Sequence, residues 1–292
     1  MATEAIRTSE PARLRFGERL AEVLRHREVL VNLIRKELRI KYKSSFLGVA
    51  WSMLNPLLYL AVFYVVFTFF LRNDTPNFAV YLVSGLLGFT LFSTGLQGAT
   101  SSVVANASLV TKVAFPREIL PLSAIGASLV YFFYQLLVLL LFVTVLRYPY
   151  VGANLLLLPA ALAVLLLFTS ALGLGTAALN VRYRDTHHLV ELGLLAWFWV
   201  TPIVYPASVV FDNVGSDVAI QIWLANPITA VTLAFQRAIY GGTSTVAQSF
   251  LPDAGIEWYL IRLGYVAAAS VLLLALTWRT FFRLSGDFAE EL

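Results

Sequence analysis

Residues 119–146 read ILPLSAIGASLVYFFYQLLVLLLFVTVL, 28 positions without one Asp, Glu, Lys or Arg. A helix needs about 20 apolar residues to cross a hydrocarbon core of about 30 Å, so this stretch alone can span a bilayer. Three further windows, 44–71, 75–111 and 148–181, are equally free of charge. Apolar residues make up 59% of the 292-residue chain and charged ones 13%; soluble domains have roughly 45–50% and 25%. A soluble fold would lack the polar surface to stay in solution. A membrane β-barrel is excluded too, because its strands alternate lipid-facing and lumen-facing residues, whereas these windows are apolar throughout. The composition describes an all-α polytopic membrane protein.

Working outward from 119–146, segments of span length fall at about 48–71, 78–101, 154–180, 189–209 and 258–280, which makes six transmembrane helices. An even number puts both ends of the chain on one side, and the basic residues choose that side. The first 43 residues hold eleven Lys/Arg against six Glu. With loops 102–118 and 181–188 and the C-terminal stretch from Arg279 onward, they carry 17 of the 21 cations. The other side has Arg72, Arg147, Arg237 and Arg262, the last close enough to a helix end to snorkel. The expectation is a multi-pass protein of the cytoplasmic membrane with both termini inside. The charged lead is too long for the n-region of a cleavable signal peptide.

Two segments depart from plain spans. Residues 218–236 are uncharged but broken at Asn226-Pro227, which suits two short helices that dip in from the outer side and return. Backbone freed at such a break must be buried in protein or line a wet cavity, so 210–257 is expected to be a structured outer segment. Before the first span, Phe16, Leu20, Val23, Leu24, Val31, Ile34 and Leu38 recur at helical spacing among Arg and Glu. A basic amphipathic helix in that place lies at the membrane surface. The chain thus divides into a cytoplasmic segment 1–45 and a transmembrane domain 46–292.

Chemistry of the usual kinds is missing. With no cysteine, disulfides, thiolate nucleophiles and Cys-ligated metals are excluded. GxxxxGK[ST], HExxH, GxSxG and GxGxxG do not occur. His187 and His188 are sequence neighbours that point about 100° apart on a helix, a poor start for a metal site. Gly173-Leu174-Gly175 reads as close helix packing. None of the 17 acidic residues falls at the centre of a span, where an ion-coupled carrier would need one. No catalytic residue, metal or cofactor is expected, and energy for uphill transport must come from another subunit.

The spans are instead rich in aromatics, with 21 Phe, 13 Tyr and 6 Trp in the chain. Packing accounts for most such rings. A subset, Trp51, Tyr59, Phe63, Phe89, Phe92, Trp197, Trp199 and Tyr205, is a candidate lining for a channel, because sugar C–H faces stack on aromatic rings and Tyr adds a hydroxyl.

Four segments together resemble one family. They are LRIKYKSSFLGVAW (38–51) with Asn55-Pro56, LVTKVAFPREILP (109–121), LNVRYRD (179–185) with TPIVYP (201–206), and Asn226-Pro227 followed by Phe235-Gln236-Arg237. In this order they look like the permease subunit of ABC-2 exporters of lipid-linked polysaccharide, such as O-antigen, teichoic acid or galactan. The resemblance implies the type V exporter fold: a homodimer of six-helix subunits with two separate cytoplasmic ABC ATPase subunits, which hold the ATP and Mg. It also implies an interface helix before span 1 and re-entrant helices before the last span. Coupling to the ATPase falls on Lys112, Phe115, Pro116, Arg117 and Glu118, and on Arg182, Tyr183, Arg184 and Asp185. Arg39, Lys41 and Lys43 could pair with the diphosphate of a polyprenyl-linked glycan. In such a dimer the deep aromatics and the polar breaks Asn55-Pro56, Ser84-Gly85 and Ser93 point spans 1, 2 and 5 toward the axis. The cargo expected is a polyprenyl-diphosphate polysaccharide, and no nucleic acid partner is implied. A smaller glycolipid or drug is the alternative. A polyprenyl-sugar transferase is a third reading, but Asp212, Asp217, Asp253 and Glu257 form no DxD or adjacent pair.

The cysteine-free sequence makes the topology directly testable. Glu290→Cys is expected to react with a membrane-impermeant maleimide only after the cytoplasmic face is opened, and Gly215→Cys in intact cells. The opposite pattern would overturn the assignment.

Overall fold

The computed structural model describes residues 16–41, 50–66, 78–113, 115–145, 153–241, 250–252 and 254–292. Among them the regular structure is helical. Helices α1 (Phe16–Arg25) and α2 (Arg27–Lys41) meet at a turn on His26, followed by α3 (Ala50–Val65), α4 (Phe78–Ala105), the short α5 (Ala107–Lys112) and α6 (Ile119–Val145). A 3-10 turn (Ala153–Leu156) leads into α7 (Leu157–Arg182) and α8 (Thr186–Val200). Then come α9 (Ala207–Asn213), α10 (Asp217–Leu224), α11 (Pro227–Ile239), the long α12 (Ile256–Ser285) and α13 (Phe288–Glu291).

Four segments among the described residues are long and apolar enough to cross a bilayer: α4, α6, α7 with its leading turn, and α12. The pair α10–α11 meets the same test but is bent by 82°. The bend falls at the Asn226-Pro227 break. Asn226 accepts a hydrogen bond from the Ile228 N–H at 3.1 Å, and Pro227 fills the first helical position. An N-cap residue followed by Pro starts a helix, so the pair ends α10 and begins α11. Segment 189–209 is corrected: its helix runs from Thr186 to Val200, and the chain then turns through 201–206 into α9. Pro202 has no N–H for a helix ladder and pushes the residue before it toward extended backbone; Thr201 is extended.

Helix α4 is the hub. Of its most apolar window, 78% is buried inside the chain. Most of span 2, expected at a dimer axis, thus packs on helices of the same chain. The reason is a row of small residues that lets neighbouring backbones come close. A Cβ on Gly88 would lie 2.9 Å from the Phe235 ring of α11, and one on Gly98 would lie 3.3 Å from Ala124 of α6. A Cβ on Gly95 would lie 3.2 Å from Thr169 of α7. Gly173 repeats the device from the α7 side, where a Cβ would lie 2.8 Å from that of Ala99. The hydroxyls of Thr100 and Thr176 approach to 2.7 Å across the same seam. Partners 95/169, 99/173 and 100/176 keep a nearly constant offset, so α4 and α7 run parallel. Partners 98/124 and 95/128 run the other way, so α6 is antiparallel to α4.

Two apolar cores result. The larger surrounds Tyr81, Phe92, Phe132, Phe168, Phe235 and Tyr240. The smaller sits at the other end of α4 and α7, the end rich in basic residues, and joins Val23 and Leu33 of α1–α2 to Val103, Val110, Ile119, Val181, Phe281 and Phe288. Helix α2 packs on α6, with Ile34 over Gly126. The amphipathic segment is therefore docked on the bundle as two helices, with Leu24 and Val31 of its apolar set left exposed.

Gly173→Leu is expected to push α4 and α7 apart and to cost about 1–3 kcal/mol, the usual range for overpacking. The apparent unfolding temperature in detergent should fall. Gly264→Ala, mid-helix and with nothing within 4 Å of its added Cβ, should hold or slightly raise that temperature, since Ala favours helix over Gly.

Candidate functional site

Because α4 and α7 are parallel, the loops that follow them emerge at the same end of the bundle. The first begins at Asn106, whose side-chain amide donates to the Ser102 carbonyl at 2.8 Å and whose Oδ1 accepts from Lys36 Nζ at 2.6 Å. The amphipathic segment is thus tied to the start of this loop. Helix α5 is pinned by buried Val110, leaving Lys112 exposed. Pro116 and Glu118 are buried, while Phe115 and Arg117 are half-buried. The Arg117 guanidinium donates to the Ser285 carbonyl. Burial lowers the Arg117 pKa from its ordinary value, and the charge of Glu118 opposes that shift.

The second loop is a tight corner. The Tyr183 N–H donates to the Leu179 carbonyl at 2.7 Å, and the Thr186 hydroxyl to the Tyr183 carbonyl at 2.7 Å. Buried Asn180 accepts from the His187 N–H at 3.2 Å. Arg182, Tyr183, Arg184 and Asp185 all project into the open, with Arg182 5.9 Å from the centre of the Tyr183 ring. His187 and His188 lie 3.5 and 3.4 Å from the same carboxylate, Glu191. No group of three metal-ligating side chains occurs among the described residues. Of the nine coupling candidates, Lys112, Arg182, Tyr183, Arg184 and Asp185 can touch a partner. Pro116 and Glu118 shape the loop from within.

Arg39 is exposed near the end of α2. With Asn32, Arg35, Lys36 and Ile40 it lines a cavity of about 550 Å³. The side chain of Lys41, and all of Lys43, lie outside the described residues.

The aromatic candidates divide. Phe89, Phe92 and Trp197 come together, but in the core: Phe92 is fully buried, 5.7 Å from Phe168 and 5.2 Å from Trp197. Phe89 packs edge-on to Phe198 at 5.3 Å. Phe63 is half-buried against the same core. Trp51 and Trp199 present rings at the surface of the chain, 41% and 63% exposed. Half-buried Tyr205 donates its hydroxyl to the Val200 carbonyl at 2.9 Å. The Tyr59 side chain lies outside the described residues.

Sequence reasoning missed the residues that hold 200–206. Three carbonyls of this irregular stretch are taken by side chains from elsewhere. Trp223 Nε1 donates to Val200 at 2.9 Å, Gln236 Nε2 to Pro202 at 2.8 Å, and the Tyr81 hydroxyl to Tyr205 at 3.0 Å. Trp197 Nε1 donates to Asn226 Oδ1 at 2.7 Å, so the side chain that caps α11 also receives α8. The signal was present: Gln236 is a lone amide in an apolar run, and such a side chain needs a buried partner.

Comparison with known proteins follows the same outline. The family described as "ABC-2 type transporter" matches residues 28–240. An O-antigen export system permease protein, RfbA of Myxococcus xanthus, is 33% identical over 272 residues, which cover 93% of this chain and 98% of the relative. The protein of the same name from Klebsiella pneumoniae is 28% identical over 218 residues, 74% of this chain and 82% of its own. The polysialic acid transport protein KpsM of Escherichia coli is 21% identical over 216 residues, 72% and 80% respectively.

Asn226→Ala removes the cap of α11 and leaves the Trp197 N–H unpaired. The expected loss is about 1–3 kcal/mol, read as a lower unfolding temperature. Asn226→Asp, which keeps the acceptor, should recover most of it.

Proposed function

The chain belongs to the ABC-2 type transporter family, and on that footing we propose that it is the permease subunit of an ATP-driven exporter of a lipid-linked polysaccharide. The observation that carries the reading is its likeness, over 98% of the relative's length, to an O-antigen export permease. Two loops at one end of the bundle fit that role, and the chain has no nucleotide-binding motif of its own.

In this reading α4, α6, α7 and α12 cross as single helices, α3 and α8 form the main parts of the expected spans 48–71 and 189–209, and α10–α11 re-enter from the outer face. The basic end is cytoplasmic, in keeping with the bias of Lys and Arg toward that side. Residues 1–45 act as the interface segment and 46–292 as the transmembrane domain. Two copies form the conduit, each served by an ABC ATPase that presses on Lys112 with its flanking Phe115–Glu118 turn and on Arg182–Asp185. The exposed faces of α3 and α8, with Trp51 and Trp199, serve a second copy or a glycan. A polyprenyl diphosphate meets the membrane near Arg39, Lys41 and Lys43. The guanidinium of Arg39 suits phosphate, because its planar fork can pair two oxygens at once.

This chain's part is mechanical. Its sequence carries no Walker A motif and no carboxylate at the centre of an expected span, so ATP turnover on the partner is the only energy source the reading provides. Short corners fixed by Asn106, Asn180 and Pro116 pass a push to α4 and α7 with little slack.

Deleting the gene for this chain should trap lipid-linked glycan in the cytoplasm and strip it from the surface, read by fractionation and glycan staining. Arg184→Glu should lower surface glycan about tenfold, a usual size for a lost coupling, at unchanged membrane amount. Normal surface glycan in the deletion strain would refute the proposal.

A further inference from the structure

We infer that residues 286–292 are a brace that fastens the first coupling helix to the last span, and that Phe288 is its positioning residue. This rests on the exporter reading above. Helix α12 ends at Ser285, and the chain folds back at once: the Asp287 N–H returns to the Leu284 carbonyl at 3.1 Å. The turn lays α13 against α5 and α7. Asp287, Glu290 and Glu291 face outward and are exposed, whereas Phe288 is 1% exposed. Its ring stands edge-on to Phe281 at 5.3 Å, within the apolar core that also holds Val110 of α5 and Val181 of α7. A second tie lies past the end of α5, in the turn that leads into α6. The Arg117 guanidinium donates to the Ser285 carbonyl at the end of α12, where the helix dipole favours a cation.

The first coupling loop is therefore held to the end of α12 twice, at α5 by an apolar plug and at Arg117 by a charged hydrogen bond. Helix α12 in turn packs along α7, with Thr277 against Gly175. Helix α7 ends in the second corner, Arg182–Asp185. A push on α5 thus reaches the second corner by way of Phe288, α12 and α7, in addition to the direct seam between α4 and α7. The brace makes the two corners move as one, so that each ATP cycle is converted into export.

Two measurements on the complete transporter test this: ATP turnover of the complex with its ATPase in lipid nanodiscs, and surface glycan of cells at matched membrane amount. Phe288→Ala is expected to keep ATP turnover within about twofold while surface glycan falls about tenfold, and Phe288→Leu should restore export. Inserting two glycines between Gly286 and Asp287 keeps the plug but slackens the tie. It should uncouple in the same way, and it serves where Phe288→Ala lowers the amount of protein. A merely structural role for Phe288 would lower turnover and export together, and that result would overturn the brace, as would normal export with the glycine insertion. A wild-type complex that hydrolyses ATP in cells with no ATP-dependent surface glycan would instead defeat the exporter reading.

Discussion

Backbone polar groups inside an apolar bundle have no solvent to turn to, and each one that leaves a helix must find a partner in the protein. That constraint shapes the region where α8, α9, α10 and α11 meet. The chain leaves the helix at Val200, and the carbonyls of Val200, Pro202 and Tyr205 each receive a donor from Trp223, Gln236 or Tyr81. Helix α11 can lie at 82° to α10 because Asn226 caps it and takes the Trp197 N–H as well. One irregular stretch thereby fixes four helices, and the hub helix α4 supplies Tyr81 to it.

The other end of the bundle obeys a different rule. Water is available there, and charged loops can stand free, so what sets their position is a small apolar core. Val110, Val181, Phe281 and Phe288 bring both loops and the end of α12 into one cluster, and Val23 and Leu33 add the amphipathic helices. The charged and aromatic tips Lys112 and Arg182–Asp185 stand exposed above it. Such a unit has firm attachment beneath an exposed, polar contact surface. In the proposed transporter that is the property a mechanical corner requires, since slack in the corner would dissipate the push.

Much of the architecture was legible in the sequence because absence of charge is a local property. The window 119–146 became α6, 78–101 became α4 and 154–180 became α7, each within a few residues. The break at Asn226-Pro227 and the close packing at Gly173-Leu174-Gly175 were also local signals, and both appear in the structure. The places of the two loops followed from span parity, which the parallel run of α4 and α7 matches. What could not be read depended on partners far along the chain. Helix α8 stops at Val200 rather than 209, where residues 81, 223 and 236 wait to receive the backbone. Phe89 and Phe92 looked like channel candidates because a uniformly apolar helix carries no period that separates core from lipid. Only its neighbours place Phe92 between Phe168 and Trp197. Phe288 gave no signal at all, since one aromatic among acidic residues reads as an ordinary exposed tail.

The central claim is that this polypeptide is a conduit driven from outside itself. Reconstitution into sealed vesicles tests it most directly, with lipid-linked glycan on one face and its movement to the other followed over time. The account predicts no net accumulation against a gradient with this chain alone, and accumulation once the ABC ATPase and ATP are added. Uphill accumulation by the chain alone would contradict it.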